Sequence, residues 1–279
     1  MIIDAQIHAW KETSTYPTPE SAAQHHGREY TIEQALAQMD ASGVDRCVLV
    51  PPGSWPTGET RNSYSLEAVR NYPERFAVMG QFDYDAPDRE HQLENWRKQP
   101  GMLGVRRYVR EGGRPFLSSR DNDWFWKGLV RNDIPFMSSA PLALHLYEDL
   151  LKRHPDLRLI LDHAGREPYT TVDEAAWRDI DTLLGLAKYR NVSVKVSSLP
   201  AFSSKPYPFP SLHEPIRRIY DAFGPRRMLW GSDVTRLVWP YEDNLRLFTE
   251  GLDFLSAEDK TWVLGRSAAT QLRWDAALA

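Results

Sequence analysis

Polar side chains able to move protons or hold anions stand where short apolar segments of this 279-residue sequence run out. Gln6 and His8 close the segment 2–8, and their two-residue spacing puts them on one face of a strand. Arg106 and Arg107 end 102–108, pointing to opposite sides, and Asp162, His163, Gly165 and Arg166 end 157–163. Lys195 sits in Ser193-Val194-Lys195-Val196-Ser197, where alternation gives Val194 and Val196 one face and Lys195 the other. Leu229-Trp230-Gly231-Ser232-Asp233 closes the last such segment, with Arg236 just beyond. Imidazoles and carboxylates are the usual general acids and bases, and the planar fork of arginine matches a substrate carboxylate. Each residue also has a plainer reading. An Asp after a strand caps a helix, and Arg166 or Arg236 can pair with a loop acid such as Glu167 or Glu242. Only convergence of these positions turns them into a site.

The elements that must bring them together alternate with a regular rhythm. Apolar runs at 2–8, 44–50, 75–81, 102–108, 134–137, 157–163, 192–196 and 227–231 read as strands. Helical patterns lie between them, near 60–72, 86–98, 122–132, 141–153, 173–188 and 212–223, then near 241–255 and from Ala257 onward. The first helix starts at Thr31 as its cap, repeats at Ile32, Leu36 and Met39, and stops at Gly43. Eight strand–helix units predict an α/β chain folded as a (β/α)8 TIM barrel, a single domain over 1–279. Several strands are apolar throughout, as in parallel sheets covered on both faces. An open doubly wound sheet gives the same alternation, but no Gly-x-Gly-x-x-Gly follows the first strand.

Composition narrows the function classes. The net charge of −4 and the lack of basic runs disfavour nucleic acid as a partner. No apolar run approaches the roughly 20 residues that cross a bilayer, so a cytoplasmic protein acting on a small molecule is expected, without a membrane partner. A homodimer paired through the barrel helices is compatible with this. The lone cysteine, Cys47, rules out an intramolecular disulfide and lies in an apolar run, where it reads as a small buried hydrophobe. The ten tryptophans suit either core packing or a substrate wall.

Three segments resemble the amidohydrolase superfamily. Asp4-Ala5-Gln6-Ile7-His8 is similar to its Asp-Ala-His-x-His opening, Leu161-Asp162-His163-Ala164-Gly165 to its strand-six signature, and Trp230-Gly231-Ser232-Asp233 to its strand-eight signature. The stretch 257–272 resembles the family's final helix. The likeness is closest to the branch holding 2-pyrone-4,6-dicarboxylate lactonase, fuconolactonase and several decarboxylases. Metal-using members hold a divalent ion with both opening histidines, a strand-five histidine and the strand-eight aspartate. Here Gln6 replaces the first histidine and Ile134-Pro135-Phe136-Met137-Ser138-Ser139 carries none. An amide is a poor zinc ligand, so no tightly bound catalytic metal and no other cofactor is expected. The alternative is one zinc or manganese ion held by His8, His163 and Asp233.

The resemblance implies metal-independent hydrolysis of a lactone-like ester. Asp233 would activate water, His8 and His163 would polarise the carbonyl, and Gln6 would add its amide N–H. Arg107, Arg166 and Arg236 are candidates for an anionic substrate, with Ser138 and Lys195 as further substrate contacts; Lys195 reads equally well as a buried ion-pair partner. Trp10, Trp55, Tyr108 and Trp239 are expected to wall the pocket, and His25 and His26 lie in its first loop. Two other classes remain open: a metal-dependent nonoxidative decarboxylase of an aromatic or unsaturated acid, and a barrel that only binds a ligand.

Overall fold

The computed structural model describes residues 1–11, 29–52, 62–109, 113–141, 143–167 and 171–274. Eight strands, β1 Ile3–Ile7, β2 Arg46–Leu49, β3 Phe76–Gly80, β4 Met102–Tyr108, β5 Phe136–Ser139, β6 Leu159–Leu161, β7 Val192–Ser197 and β8 Met228–Gly231, form one parallel sheet in sequential order. A doubly wound sheet would reverse direction at its first strand; this one proceeds around a barrel. The seam between β8 and β1 closes through strand-end bonds. Asp233 N donates to Gln6 O at 2.8 Å, and the buried Asp4 carboxylate accepts from Ser232 N at 2.8 Å and Tyr241 O–H at 3.0 Å.

Helices cover the outside. The one at Ile32–Ser42 starts with a reciprocal capping box between Thr31 and Gln34 and ends at Gly43 in the left-handed region (φ 69°). The helix expected near 212–223 runs unbroken over Pro210–Phe223, while several others are shorter or broken. The segment 173–188 divides into a 3-10 turn, a helix at Ile180–Gly185 and a second 3-10 turn. Inside the barrel, Ile3, Ala5, Val48, Ala77, Leu103 and Leu229 pack with Ala268 and Leu272 of the closing helix and with Trp274 just beyond it. That helix therefore plugs the N-terminal end with apolar side chains, leaving the C-terminal end for chemistry.

Two strands break the two-residue alternation at places that matter. Between β1 and β2 the register advances three residues on one strand (Asp4 to Ile7) and two on the other (Cys47 to Leu49). Between β3 and β4 it advances one against two (Val78 to Met79, Met102 to Gly104). Each is a bulge, and a bulge inverts which residues face inward beyond it. Ile3 and Ala5 face inward, and past the slip Gln6 and His8 do as well. In β4 Gly104 and Arg106 face inward, while Val105 and Arg107 face the helices. The turn-in at Gly104 needs glycine, since a Cβ there would stand 2.4 Å from Pro135 O and 2.8 Å from Met79 Cε. Replacing Gly43 meets no neighbour within 4 Å, so Gly43→Ala costs only its left-handed backbone, about 1 kcal/mol. Gly104→Ala forces a backbone contact and is expected to cost about 2–3 kcal/mol. Denaturation of the two variants side by side checks this order; equal losses would mean that the bulge is soft.

Candidate active site

The strand ends deliver three titratable side chains to one point. His8 Nε2 lies 3.2 Å from Asp233 Oδ1, and His163 Nε2 lies 3.8 Å from Asp233 Oδ2. All three are buried. His163, Ala164, Ser198 and Asp233 adopt φ between 51° and 57°. This region is unfavourable for residues with a Cβ, at about 1–3 kcal/mol each. The left-handed turn at His163 ends β6 at Leu161, two residues before the position read from the sequence.

Hydrogen bonds assign the protons. His8 Nδ1 lies 2.6 Å from Val50 O, an acceptor only, so Nδ1 carries the proton. Lys195 donates to Gln6 Oε1, because an ammonium has no acceptor to offer. The Gln6 amide N–H is thereby turned to His8 Nε2, 3.1 Å away. Neutral His8 thus holds a lone pair at Nε2, and the donor role read for it from the sequence is closed to it in that state. His163 Nδ1 meets the Ser197 hydroxyl at 3.0 Å; when that hydroxyl donates, Nε2 carries the proton and can donate. Ser198 Oγ donates to Asp233 Oδ2, while Asp233 Oδ1 receives no hydrogen bond among the described residues.

Burial and charge set the protonation. Burial lowers the His8 pKa, and it pushes His163 down to about 4. Burial opposes ionisation of Asp233, but its contacts with His8 and His163 and the charge of Arg236 outweigh it and hold the carboxyl well below its usual range. Below the site, Asp162 is held ionised against its burial by Lys195, 2.9 Å from Oδ1, and Arg106, 3.1 Å from Oδ2.

Several residues singled out from the sequence sit elsewhere. Arg107 faces outward, its guanidinium over the rings of Tyr84 and Phe116 at 4.3 and 3.9 Å; the β4 bulge puts Arg106 in the place expected for it. Ser138 also faces the helices, accepting from Tyr147 O–H and donating to Arg107 O, so Ser139 is the inward serine of β5. Arg166 is buried against Asp179, the carbonyls of Ala164 and Ala176, and the Trp177 ring, bracing its own loop. Trp10 pairs with Tyr30 through backbone and ring and anchors the base of the first loop. Trp239 packs on Phe209. Tyr108 bonds Glu167 beside Arg106. Lys195 and Arg236 stay at the site, the first fully buried and the second half-buried and acting by its charge on both histidines and Asp233. Cys47 is buried and its thiol is pushed well above the usual range, which suits its reading as a hydrophobe. His25, His26 and Trp55 lie outside the described residues. Sequence reasoning missed Ser197, Ser198 and the site role of Arg106. Strand alternation from Lys195 signals Ser197, but nothing in the sequence signals the left-handed turn at Ser198.

The donor set does not fit the ion of the metal-using members. Gln6 has its carbonyl occupied by Lys195, and inward-facing β5 supplies Met137 and Ser139. Among the described residues, no three His, Cys, Asp or Glu side chains form a metal-ligand group.

A parallel barrel carrying two imidazoles and an ionised carboxylate at its C-terminal mouth is the architecture of a (β/α)8-barrel enzyme. The chain belongs to the amidohydrolase family, whose model, described as Amidohydrolase, matches residues 3–274, and it is a hydrolase. A curated relative, L-fucono-1,5-lactonase from Burkholderia ambifaria, is 29% identical over 256 residues, 86% of this chain and 83% of the relative. An amidohydrolase from Burkholderia multivorans, solved with bound zinc, shares the fold with a TM-score of 0.82 and 23% identity over 98% of this chain and 99% of that one. A probable 2-pyrone-4,6-dicarboxylic acid hydrolase from Acinetobacter baumannii does so at 0.78 and 20%, with the same coverage.

The lowered pKa of His163 has a sign. Between pH 4 and 6.5 the unfolded chain binds the proton that the folded chain refuses, so this contribution is complete above pH 6.5 and is lost as pH falls toward 4. Its size is about 3 kcal/mol. The stability of His163→Gln relative to wild type should therefore improve by up to that amount as pH is lowered from 7 to 4.5. Denaturation of both proteins at the two pH values measures it, and a constant difference would refute the assignment.

Proposed function

We propose that this chain hydrolyses a small cyclic ester with Asp233 as general base. The observation that carries the reading is Asp233 Oδ1: buried, ionised, free of any donor among the described residues, and flanked by two imidazoles. A water beside it gives its proton to Oδ1 while its oxygen forms a bond to the lactone carbonyl carbon. His163 Nε2–H and the Gln6 amide donate to the carbonyl oxygen as charge develops there. The ring C–O bond then breaks, and the proton held on Asp233 passes to the departing oxygen, giving a hydroxy acid. Neutral His8, 3.2 Å from Oδ1, can share that proton in between. Its part is to position and buffer Asp233, in place of the carbonyl contact read from the sequence.

An anionic substrate suits the cations at the mouth. Arg106 uses its Nε on Asp162 and makes no Nη hydrogen bond among the described residues, so its fork can take a carboxylate, with Arg236 as the second cation. The A. baumannii protein is named for a dicarboxylic acid, in line with this. The B. ambifaria relative is named for an uncharged sugar lactone, so both classes belong in the assay. No helix among the described residues is long and apolar enough to cross a membrane. Operation without a catalytic metal, a cytoplasmic setting and a homodimer complete the reading.

The test is a panel of aldonolactones and carboxylated pyrones, followed by acid release with a chelator present. At least one lactone should turn over. His163→Ala should lower kcat by about 100- to 1,000-fold, and Asp233→Asn by about 100- to 10,000-fold. Carbon dioxide release from an aromatic acid upon adding manganese, with no lactone turned over, would instead establish the decarboxylase.

A further inference from the structure

The ammonium of Lys195 lies fully buried in the barrel and is touched from two strands and the end of a third. It donates to Gln6 Oε1 of β1, lies 3.2 Å from Met137 Sδ of β5, and lies 2.9 Å from Oδ1 of Asp162, the residue just after β6. Two of these strands, β1 and β5, are those whose histidines grip the ion in metal-using members. Gln6 itself stands at the first of those histidines. One amide separates Nζ from His8 Nε2, since Gln6 bonds both. The charge of Lys195 is felt at His163, and that of Asp233 is felt at Lys195. The cation is therefore built in, fixed by a carboxylate that Arg106 also holds.

We propose that Lys195 is a positioning residue that replaces the divalent ion of the family. Its ammonium occupies the ion's neighbourhood, repels a dication from His8, His163 and Asp233, and supplies the positive potential under the substrate carbonyl. It also locks the Gln6 amide so that its N–H faces the site. This rests on the reading of the site as a metal-free hydrolase. It assigns Lys195 a role in setting charge, without covalent chemistry and without contact with substrate.

Zinc affinity isolates the claim from catalysis. Gln6→His restores the missing ligand but keeps the ammonium; Gln6→His/Lys195→Met restores it and removes the repulsion. Dialysis against zinc, with metal measured by mass spectrometry, should show on the order of 1,000-fold tighter binding by the double variant than by Gln6→His, as expected for a dication a few ångströms from a buried monocation. Equal affinities of the two, or a wild-type chain that retains stoichiometric zinc, would overturn the proposal. Removing Lys195 leaves Asp162 with Arg106 alone. If circular dichroism shows the double variant unfolded, adding Asp162→Asn removes the stranded charge, and the same comparison with Gln6→His decides. Lactone turnover is measured separately on wild type. Its absence would defeat the proposed function and leave the zinc comparison to judge Lys195 by itself.

Discussion

A carboxylate without solvent contact sits in the upper half of this barrel, and compensating it dictates what every polar neighbour can do. Asp162 takes Lys195 on one oxygen and Arg106 on the other. Removing an ion of this kind from water costs several kcal/mol, recovered only when geometry and hydrogen bonding are good. Breaking one member of such a group typically costs about 3–5 kcal/mol. Lys195 is therefore anchored on Asp162, and its other contacts are Gln6 and Met137. From there the order propagates: the Gln6 carbonyl faces the ammonium, its amide faces His8, and His8 must donate from Nδ1 to Val50. An ion pair one amide away from His8 thus reinforces the tautomer that the Val50 carbonyl requires. The closest analogue is the outer partner of a metal-bound imidazole, which orients the ring without touching substrate.

Backbone irregularity does the aiming that side-chain chemistry needs. Strict alternation from Ile3 and Ala5 would send Gln6 and His8 to opposite faces from those they occupy. The bulge in β1 turns both inward while Asp4 stays outside to clasp β8 through Ser232. The clasp has a cost of its own, for burial raises the Asp4 pKa to about 6. At the far ends of β6, β7 and β8, left-handed residues swing His163, Ser198 and Asp233 toward the axis. Strain at these three points is tolerable because the opposite end of the barrel is closed by apolar packing around Trp274 and Leu272. Rigidity at one end and strain at the other is the division of labour expected of a barrel enzyme.

Much of this was legible in the sequence. Eight apolar runs separated by helical patterns specify the barrel, and His8, His163 and Asp233 stand at strand ends that the sequential order must bring together. What was hidden is parity. No composition rule announces a bulge, and Leu103-Gly104 looks like ordinary strand, so alternation from Leu103 points Arg107 at the pocket when Arg106 faces it. The same one-residue ambiguity separates Ser138, bonded to Tyr147, from the inward Ser139. Arg166 was hidden for another reason. Its partner Asp179 lies 13 residues away across a broken helix, and the acid beside it in sequence, Glu167, is committed to Tyr108. Nearest-neighbour reasoning about charge fails when a loop folds back on itself.

The two oxygens of Asp233 are inequivalent, and this inequivalence ties the charge network to the chemistry. Oδ2 is held by Ser198, whose left-handed backbone exists to place that hydroxyl. Oδ1 faces His8 Nε2, whose lone pair is already met by Gln6. Protonating His8 would fill the gap with an ion pair and leave no acceptor for water. Burial counters this by keeping the imidazole neutral, and the charge of Arg106 on His8 adds to that effect. The carboxylate is thereby kept charged, oriented and unsatisfied at once, a state that a protein holds in its interior only where surrounding cations compensate the charge and surrounding geometry blocks the easy hydrogen bond.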